Sequence, residues 1–216
     1  PKAKLPVPDP ISEARAELVV RETFKAEYET DDPSSRQALA EKLWRTGIET
    51  TDNPAARYVL LREAQHIAAD AGDATTAIKA VNDLAHSFAV SALELQTSAL
   101  EIARERARTR EQHSAVANVC FPLIDDAVAS DRFDLVERLA PVVLSSALNA
   151  MELSVALRDE YRLKEIRGFR KEFDAAQKHA GTLRQMPGNP EANLAVGRYF
   201  CFVLGDWEKG LVMLSL

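Results

Sequence analysis

The C-terminal stretch from Asn189 to Leu216 constrains the fold most, because it carries the start and stop signals of two consecutive helices. Asn189 can cap a helix, and Pro190 suits the first helical position, where the missing N–H costs nothing. Gly205 can adopt the left-handed conformation past a helix end, and Asp206 can cap the helix that follows. These signals together predict an antiparallel helical hairpin.

Apolar residues recur at helical spacing on both sides of this turn. In the first helix they are Leu194, Gly197, Phe200 and Cys201, and in the second they are Trp207, Leu211 and Leu214. We expect Gly205, and Gly72 in a similar Gly-Asp turn, to have a positive φ, where a β-carbon is penalised. Replacing Gly205 by Val should then cost about 1 kcal/mol or more.

The hairpin resembles a tetratricopeptide (TPR) unit. The matching positions are Val196-Gly197, Phe200, Gly205-Asp206-Trp207 and Gly210-Leu211. The spacing of Gly197 and Gly205 is one residue longer than in the TPR pattern, and Asn193 stands where Trp is usual. Together with the opening Lys4-Leu5-Pro6-Val7-Pro8, the hairpin is also similar to helical segments of large uncharacterised exported bacterial proteins, which implies no activity.

A second TPR-like unit is predicted from about Pro54 to Phe88, with its turn at Gly72-Asp73. Ala77-Ile78 matches the small-then-aliphatic positions of the TPR pattern, whereas Gln65 stands where Gly is usual. A third, looser turn of the same kind is predicted at residues 130–133, Ser-Asp-Arg-Phe.

Helical periodicity and capping signals predict about ten helices and no strands. The first helix, at about 12–30, is expected to bury Ala14, Leu18, Phe24 and Tyr28, and the turn Asp31-Asp32-Pro33 follows it. Later helices are predicted at about 91–108, 112–129, 133–148 and 151–186, with bends or a break at Pro122, Pro141 and Gly168. The fold class is therefore all-α, an irregular α-solenoid of antiparallel TPR-like hairpins, at 12–216 after an extended linker at 1–11.

Charge and composition limit the class of partner. Among 216 residues, 33 acidic side chains outnumber 27 basic ones, which argues against a general nucleic-acid binder. No apolar run approaches the length of a transmembrane helix.

A removed signal peptide, as in an exported protein, would explain the start at Pro1, and so would a chain cut from a longer polypeptide. The apolar end of the sequence leads us to expect a native polypeptide that continues beyond Leu216.

No residue pattern typical of a catalytic, cofactor-binding or metal site occurs in the sequence. The four histidines are scattered, and Cys120 and Cys201 lack a CxxC spacing, so we expect two buried thiols that are not bonded to each other.

A run of arginines at Arg104, Arg106, Arg108 and Arg110 has two interpretations. It is either a phosphate-binding patch or a solvated helix end where Arg complements the helix dipole.

The TPR resemblance implies a concave groove, lined by the first helix of each hairpin, that binds extended peptides. The candidate groove residues carried over to this sequence are Val59, Arg62, Glu63, His66, Ala69, Asp70, Glu191, Leu194, Ala195, Arg198, Cys201 and Phe202. The favoured hypothesis is a non-catalytic protein-interaction or spacer module, whose partner is a protein or peptide, including the rest of its own polypeptide. A small-molecule or glycan-binding helical domain and an enzyme with a site assembled from separate helices are the alternatives.

Overall fold

The computed structural model describes residues 4–30 and 32–216, and these residues form an all-α protein, as predicted. Its helices are α1 (Pro10–Thr23), α2 (Lys25–Tyr28), α3 (Pro33–Glu49), α4 (Pro54–Asp70), α5 (Ala74–Ser87), α6 (Ala92–Arg106), α7 (Arg110–Ala129), α8 (Phe133–Asn149), α9 (Leu153–Gln185), α10 (Pro190–Phe202) and α11 (Trp207–Leu214). No strand occurs in these two ranges, where Leu5 forms an isolated bridge with Phe88. Residues 1–3 of the predicted linker and Asp31 of the predicted turn lie outside the described residues.

Four helices begin with the same local device, an Asp or Asn cap followed by proline at the first helical position. The capping residues are Asp9, Asp32, Asn53 and Asn189. Each side chain accepts a hydrogen bond from a backbone N–H two or three residues later, for example from Ala192 N to Asn189 Oδ1 at 2.9 Å. The cap satisfies a donor that the helix leaves unpaired, and proline has no donor to satisfy. This device fixes the start of α1 at Pro10, two residues before the predicted start at Ser12.

Left-handed residues end several helices. Gly72 has φ +72° and Gly205 has φ +68°, which confirms the predicted conformation of both glycines. Asp131, in the third predicted turn, has φ +57°, and Met151 has φ +61° between α8 and α9. After each of Gly72, Asp131 and Met151, the next residue donates its N–H to a carbonyl five residues earlier at 2.8–3.0 Å. This bond satisfies a carbonyl at the helix end.

The first helix differs from the prediction, because Phe24 departs from helical dihedrals and separates α1 from α2. Ala16, Val20 and Phe24 are buried, whereas Ala14 is exposed and Leu18 is 71% exposed. The prediction that Ala14 and Leu18 are core residues is wrong. α1 instead packs on α4 through the face that carries Ala16, Val20 and Phe24, and Glu13 and Glu17 also pair with Arg62 of α4.

The chain divides into two compact units, and it passes from one to the other within α7, α8 and α9. Unit 1 comprises the described residues up to Asp126 together with Asp134–Ala156, and unit 2 comprises Ala127–Phe133 with Leu157–Leu216. In unit 1, α4 is central and contacts α1, α3, α5 and α6. The fully buried side chains of this core include Leu43, Leu61, Leu84 and Phe88.

One side chain joins the turn after α4 to the segment between α6 and α7. Gln112 donates from Nε2 to the carbonyl oxygen of Ala71 at 3.1 Å. Its Oε1 accepts from the backbone N–H groups of Arg108 at 2.8 Å and of Thr109 at 3.2 Å. A β-carbon at Gly72 would lie 3.0 Å from Gln112 Nε2 and 3.3 Å from the Ala107 backbone. The turn therefore needs glycine both for its φ and for this close approach.

The two interior prolines of unit 1 do not interrupt their helices. α7 continues through Pro122 and α8 continues through Pro141, so the predicted break does not occur. Cys120 on α7 is a buried free thiol whose Sγ lies 3.6 Å from the Leu139 carbonyl oxygen on α8. Arg138 on α8 donates to Glu101 on α6 at 2.9 and 2.6 Å, which joins these two helices by a bidentate ion pair.

Unit 2 is built around the long helix α9, which runs for 33 residues without a break at Gly168. Its core contains Ala176, Val196 and Tyr199, with Phe173 and Leu183 packed against them. The Phe173 ring centroid lies 5.0 Å from that of Phe133 and 5.6 Å from that of Tyr199. The Tyr199 hydroxyl also donates to the Asp131 carboxylate, and burial raises the pKa of Tyr199.

Two glycines set the close approach of α10 and α11 in unit 2. A β-carbon at Gly210 would overlap Cys201 Sγ and would lie 2.9 Å from the Gly197 carbonyl oxygen. A β-carbon at Gly197 would lie 2.9 Å from the Leu214 side chain and 3.0 Å from the Gly210 carbonyl oxygen. The two helices therefore meet backbone to backbone at this point, and neither position has room for a side chain.

We predict that Gly210→Ala lowers the free energy of unfolding by about 1–3 kcal/mol, because the added methyl group must push the two helices apart. Gly181→Ala is the matched control, since Gly181 lies inside α9 with no atom within 4 Å of an added β-carbon. This control should be neutral or stabilising by up to about 1 kcal/mol, from helix propensity. Urea unfolding followed by circular dichroism measures both, and a Gly210→Ala variant as stable as the parent would contradict the packing described.

We also predict that substitutions at the left-handed turn residues change the free energy of unfolding by different amounts. Gly205→Ala should cost about 1 kcal/mol from φ alone, because an added β-carbon meets no atom within 4 Å. Gly72→Ala should cost more, because strain adds to crowding against Ala107 and Gln112. Met151→Gly should stabilise by up to about 1 kcal/mol, since it relieves the same strain at an exposed side chain. Thermal and urea unfolding give the ranking, and equal effects at the two glycines would count against it.

Candidate functional site

Two of the candidate groove residues on α4, Arg62 and Glu63, form ion pairs with α1, and Glu63 also accepts a hydrogen bond from α2. Arg62 Nη2 lies 3.1 Å from Glu17 Oε2 and 3.2 Å from Glu63 Oε1, and Arg62 also pairs with Glu13. The Tyr28 hydroxyl donates to Glu63 Oε2 at 3.3 Å. Because of these contacts, Arg62 and Glu63 stabilise helix packing inside unit 1.

The other candidate residues on α4 differ in exposure. Val59 and Ala69 are fully buried, whereas His66 is exposed. His66 Nε2 lies 3.7 Å from Asp70 Oδ2, and Arg106 Nε on α6 donates to Asp70 Oδ1 at 3.2 Å. Asp70 therefore holds an arginine from another helix, a contact that the sequence pattern alone does not indicate.

Four of the six candidate groove residues on α10 are exposed. Glu191, Leu194, Arg198 and Phe202 are exposed, Ala195 is half-buried and Cys201 is a buried free thiol. Arg198 donates to the Glu172 carboxylate on α9 at 3.1 and 2.6 Å. This bidentate pair fixes the arginine between Leu194 and Phe202, which lie four residues to either side on the same face.

The exposed face of α10 is part of a larger apolar surface on the C-terminal helix pair. We call it the C-terminal apolar surface, and its residues are Leu194, Phe202, Leu204, Trp207 and Leu211. Their exposed fractions range from 42% for Leu204 to 58% for Phe202. The rings of Phe202 and Trp207 contact edge to face with centroids 5.5 Å apart. An exposed cluster of this kind marks an interaction surface more often than isolated apolar residues do.

This surface corrects part of the sequence prediction. Leu194, Trp207, Leu211 and Leu214 were expected in the buried stripes of the hairpin, yet each is exposed. The physical reason is the close contact of the two helices, in which Gly197, Gly210 and Cys201 are buried. Leu194, Trp207 and Leu211 lie outside this contact, and Leu214 packs against Gly197 yet keeps 36% of its surface exposed.

Unit 1 carries a second candidate site, a cavity of about 530 Å³ near the C-terminal ends of α4 and α6. We call it the basic cleft, and the charged and polar residues that line it are Arg36, Asp70, Arg106, Arg108, Thr109 and Gln112. Three arginines and one aspartate give the lining an excess of positive charge. This excess contrasts with the net charge of −6 of the whole chain.

The arginines of the basic cleft are held by specific contacts. Arg106 donates from Nε to Asp70, as described above, and Arg108 donates from Nη1 to the carbonyl oxygens of Glu105 at 2.9 Å and Ala107 at 3.1 Å. Arg108 therefore pairs with carbonyl groups at the end of α6, as the helix-end interpretation of the arginine run requires. At the same time, Arg106 and Arg108 line one cavity, as an anion-binding patch would require.

His113 on α7 lies close to the same arginine run. Its Nδ1 is buried without a hydrogen-bond partner. Burial, and then the positive charges of Arg104 and Arg108, lower the pKa of this imidazole. A lowered pKa means that the folded protein resists protonation of His113 more strongly than the unfolded chain does.

Sequence reasoning missed one buried carboxylate, Asp159 in unit 2. The side chain is fully buried, Oδ1 accepts from Arg158 at 3.0 and 3.1 Å, and Oδ2 has no hydrogen-bond partner. In the sequence, Asp159 stands in a charged segment beside Glu160, a pattern typical of an exposed helix face. The sequence contains no signal that distinguishes its environment from that of its neighbours.

We predict that His113 contributes to the pH dependence of stability. Because the folded-state pKa lies below the unfolded value of about 6.5, stability should fall as the pH drops from about 6.5 through the folded-state pKa. His113→Gln should remove this component and leave the titration of the carboxylates and other histidines unchanged. Urea unfolding of both proteins between about pH 7.5 and about pH 5.5 measures the difference. Identical pH profiles would contradict the assignment.

In residues 4–30 and 32–216, no group of His, Cys, Asp and Glu side chains has an arrangement that could hold a metal ion. None of the helices in these ranges combines the length and the apolar character that crossing a membrane requires. Comparison of the chain with protein-family models, with curated proteins and with solved structures finds no match.

Proposed function

We propose that this chain is a non-catalytic protein-interaction module, an irregular α-solenoid of TPR-like hairpins that binds a helical segment of a partner protein. The observation that carries the proposal is the C-terminal apolar surface. Five large apolar side chains, each 42–58% exposed, gather on one helix pair. Burying them against a partner would gain free energy in proportion to the apolar area removed from water.

The residue types on this surface support a role in protein binding. Trp and Phe supply large contact areas with few rotatable bonds, and such residues dominate the energetics of protein interfaces. Phe202 and Trp207 already support each other edge to face, so binding would cost little side-chain entropy. Arg198, held by Glu172, supplies a fixed polar group at the edge of the apolar side chains.

The spacing of the surface favours an amphipathic helix as the bound segment. Leu194, Arg198 and Phe202 follow each other at intervals of four residues and so form one ridge along α10. On α11, Trp207 and Leu211 have the same spacing. Ridges of this period fit the grooves of another α-helix, and helix-in-groove recognition uses apolar residues at intervals of three and four. The partner segment is therefore expected to carry an apolar stripe.

We predict that a photo-reactive amino acid at Phe202 cross-links a partner protein through an amphipathic helix, which peptide mapping by mass spectrometry identifies. The matched control carries the same amino acid at Tyr161, an exposed aromatic residue outside the surface. With the purified partner, Trp207→Glu should weaken binding roughly tenfold or more, since a central aromatic residue is lost and a charge is introduced. Tyr161→Glu should leave the affinity unchanged. Calorimetry gives both dissociation constants.

Unaltered affinity in Trp207→Glu would contradict the proposal, provided that circular dichroism shows the variant to be folded. Equal cross-linking from Phe202 and Tyr161 would also contradict it, because a specific surface must discriminate between the two positions. A mapped segment without an apolar stripe would reject the helical partner.

A further inference from the structure

We propose that the basic cleft of unit 1 is a separate binding site for an acidic peptide segment of a partner protein, with Arg106 and Arg108 as the residues that contact its carboxylates. The cleft lies in a different unit from the C-terminal apolar surface. The inference therefore goes beyond the proposed function, and its test does not depend on that surface.

Arg106 is positioned for a ligand by Asp70. The guanidinium donates from Nε to Asp70 Oδ1 at 3.2 Å, so that contact fixes the inner edge of the group. The two terminal amino groups of an arginine form the fork that matches a carboxylate. Because Asp70 occupies Nε, the terminal amino groups of Arg106 stay available to a carboxylate in the cleft.

Arg108 is also held by contacts within the protein. Its Nη1 donates to the carbonyl oxygens of Glu105 and Ala107, and the Gln112 side chain accepts from its backbone N–H. The segment that carries Arg108 is further fixed by the bond from Gln112 to Ala71. Both arginines are therefore held in place before any ligand binds, which reduces the entropic cost of recognition.

The charges of the cleft favour an acidic peptide over nucleic acid. The lining has no aromatic residue on which a base could stack, and stacking supplies much of the affinity for single strands. The Asp70 carboxylate would repel a continuous row of phosphates. A peptide also carries N–H groups, and these can donate hydrogen bonds to a carboxylate. The cavity volume of about 530 Å³ lies within the range of ligand sites and accommodates a short segment.

The test uses the purified chain and a fluorescein-labelled peptide of alternating Glu and Ser, with the Gln–Ser peptide as the neutral probe. Fluorescence anisotropy at low salt should show binding of the Glu–Ser peptide alone, weakened at physiological salt by screening. The double variant Arg106→Gln with Arg108→Gln should bind about tenfold more weakly or worse, since two charge-assisted contacts are lost. Arg15→Gln, a change of exposed charge on α1, should alter the affinity less than about twofold.

Pro33→Glu provides a second variant, in which both arginines are retained. Pro33 lines the cleft at the first position of α3, where an acidic residue suits the helix dipole and folding should persist. The added carboxylate should reduce the affinity for the Glu–Ser peptide about as strongly as the loss of one arginine.

Failure of the parent protein to bind the Glu–Ser peptide would overturn the proposal. So would a double variant that is folded by circular dichroism and binds like the parent. If oligo-dT binds more tightly than the Glu–Ser peptide, the ligand of the cleft is nucleic acid and the proposal is wrong. If inorganic phosphate displaces the peptide at a lower concentration than glutamate does, the ligand is a phosphate group and the proposal is also wrong.

Discussion

The structure depends first on how the unpaired backbone N–H and carbonyl groups at its helix ends find hydrogen-bond partners. Every α-helix leaves four N–H groups unpaired at its start and four carbonyl groups unpaired at its end. A chain of 216 residues that forms short helices meets this requirement many times, and local side chains meet it here. Asx-Pro pairs begin α1, α3, α4 and α10, and left-handed residues such as Gly72 follow helix ends. The turns set by these devices determine which helices can pack together.

Because capping is local, the sequence predicted the all-α class and many of the helix boundaries. Asn189-Pro190 and Gly205-Asp206 each act within a few residues, and the structure has helix boundaries at both. Met151 shows where this reasoning stops. It adopts the left-handed conformation without being glycine, and the bond from Glu152 N–H to the Ala147 carbonyl oxygen supports it there. Such a conformation is a cost that the rest of the structure imposes, so no local residue pattern indicates it.

The choice of buried face depends on partners that are distant in sequence, and here the sequence predicted less. Leu18 has the spacing of a core residue, yet α1 buries the neighbouring face, where Ala16, Val20 and Phe24 join the core. Glu13 and Glu17 pair there with Arg62, more than forty residues away. The candidate sites follow the same rule. Arg198 and Phe202 were found from a repeat pattern within one helix, whereas the basic cleft requires Asp70 on α4 to hold Arg106 at the end of α6. A contact between side chains that far apart has no signature in a single sequence.

Close packing and surface chemistry are connected in the C-terminal helix pair. Gly197 and Gly210 let two backbones approach closely, with the side chains of Leu214 and Cys201 packed against them, which stabilises the pair through many short-range contacts. Leu194, Trp207 and Leu211 lie outside this contact and remain on the surface. Other large side chains of the pair, Val196 and Tyr199 of α10 and Met213 of α11, pack into the core of unit 2. The pair therefore combines a closely packed contact with an exposed apolar surface, and the proposed partner would bind to that surface.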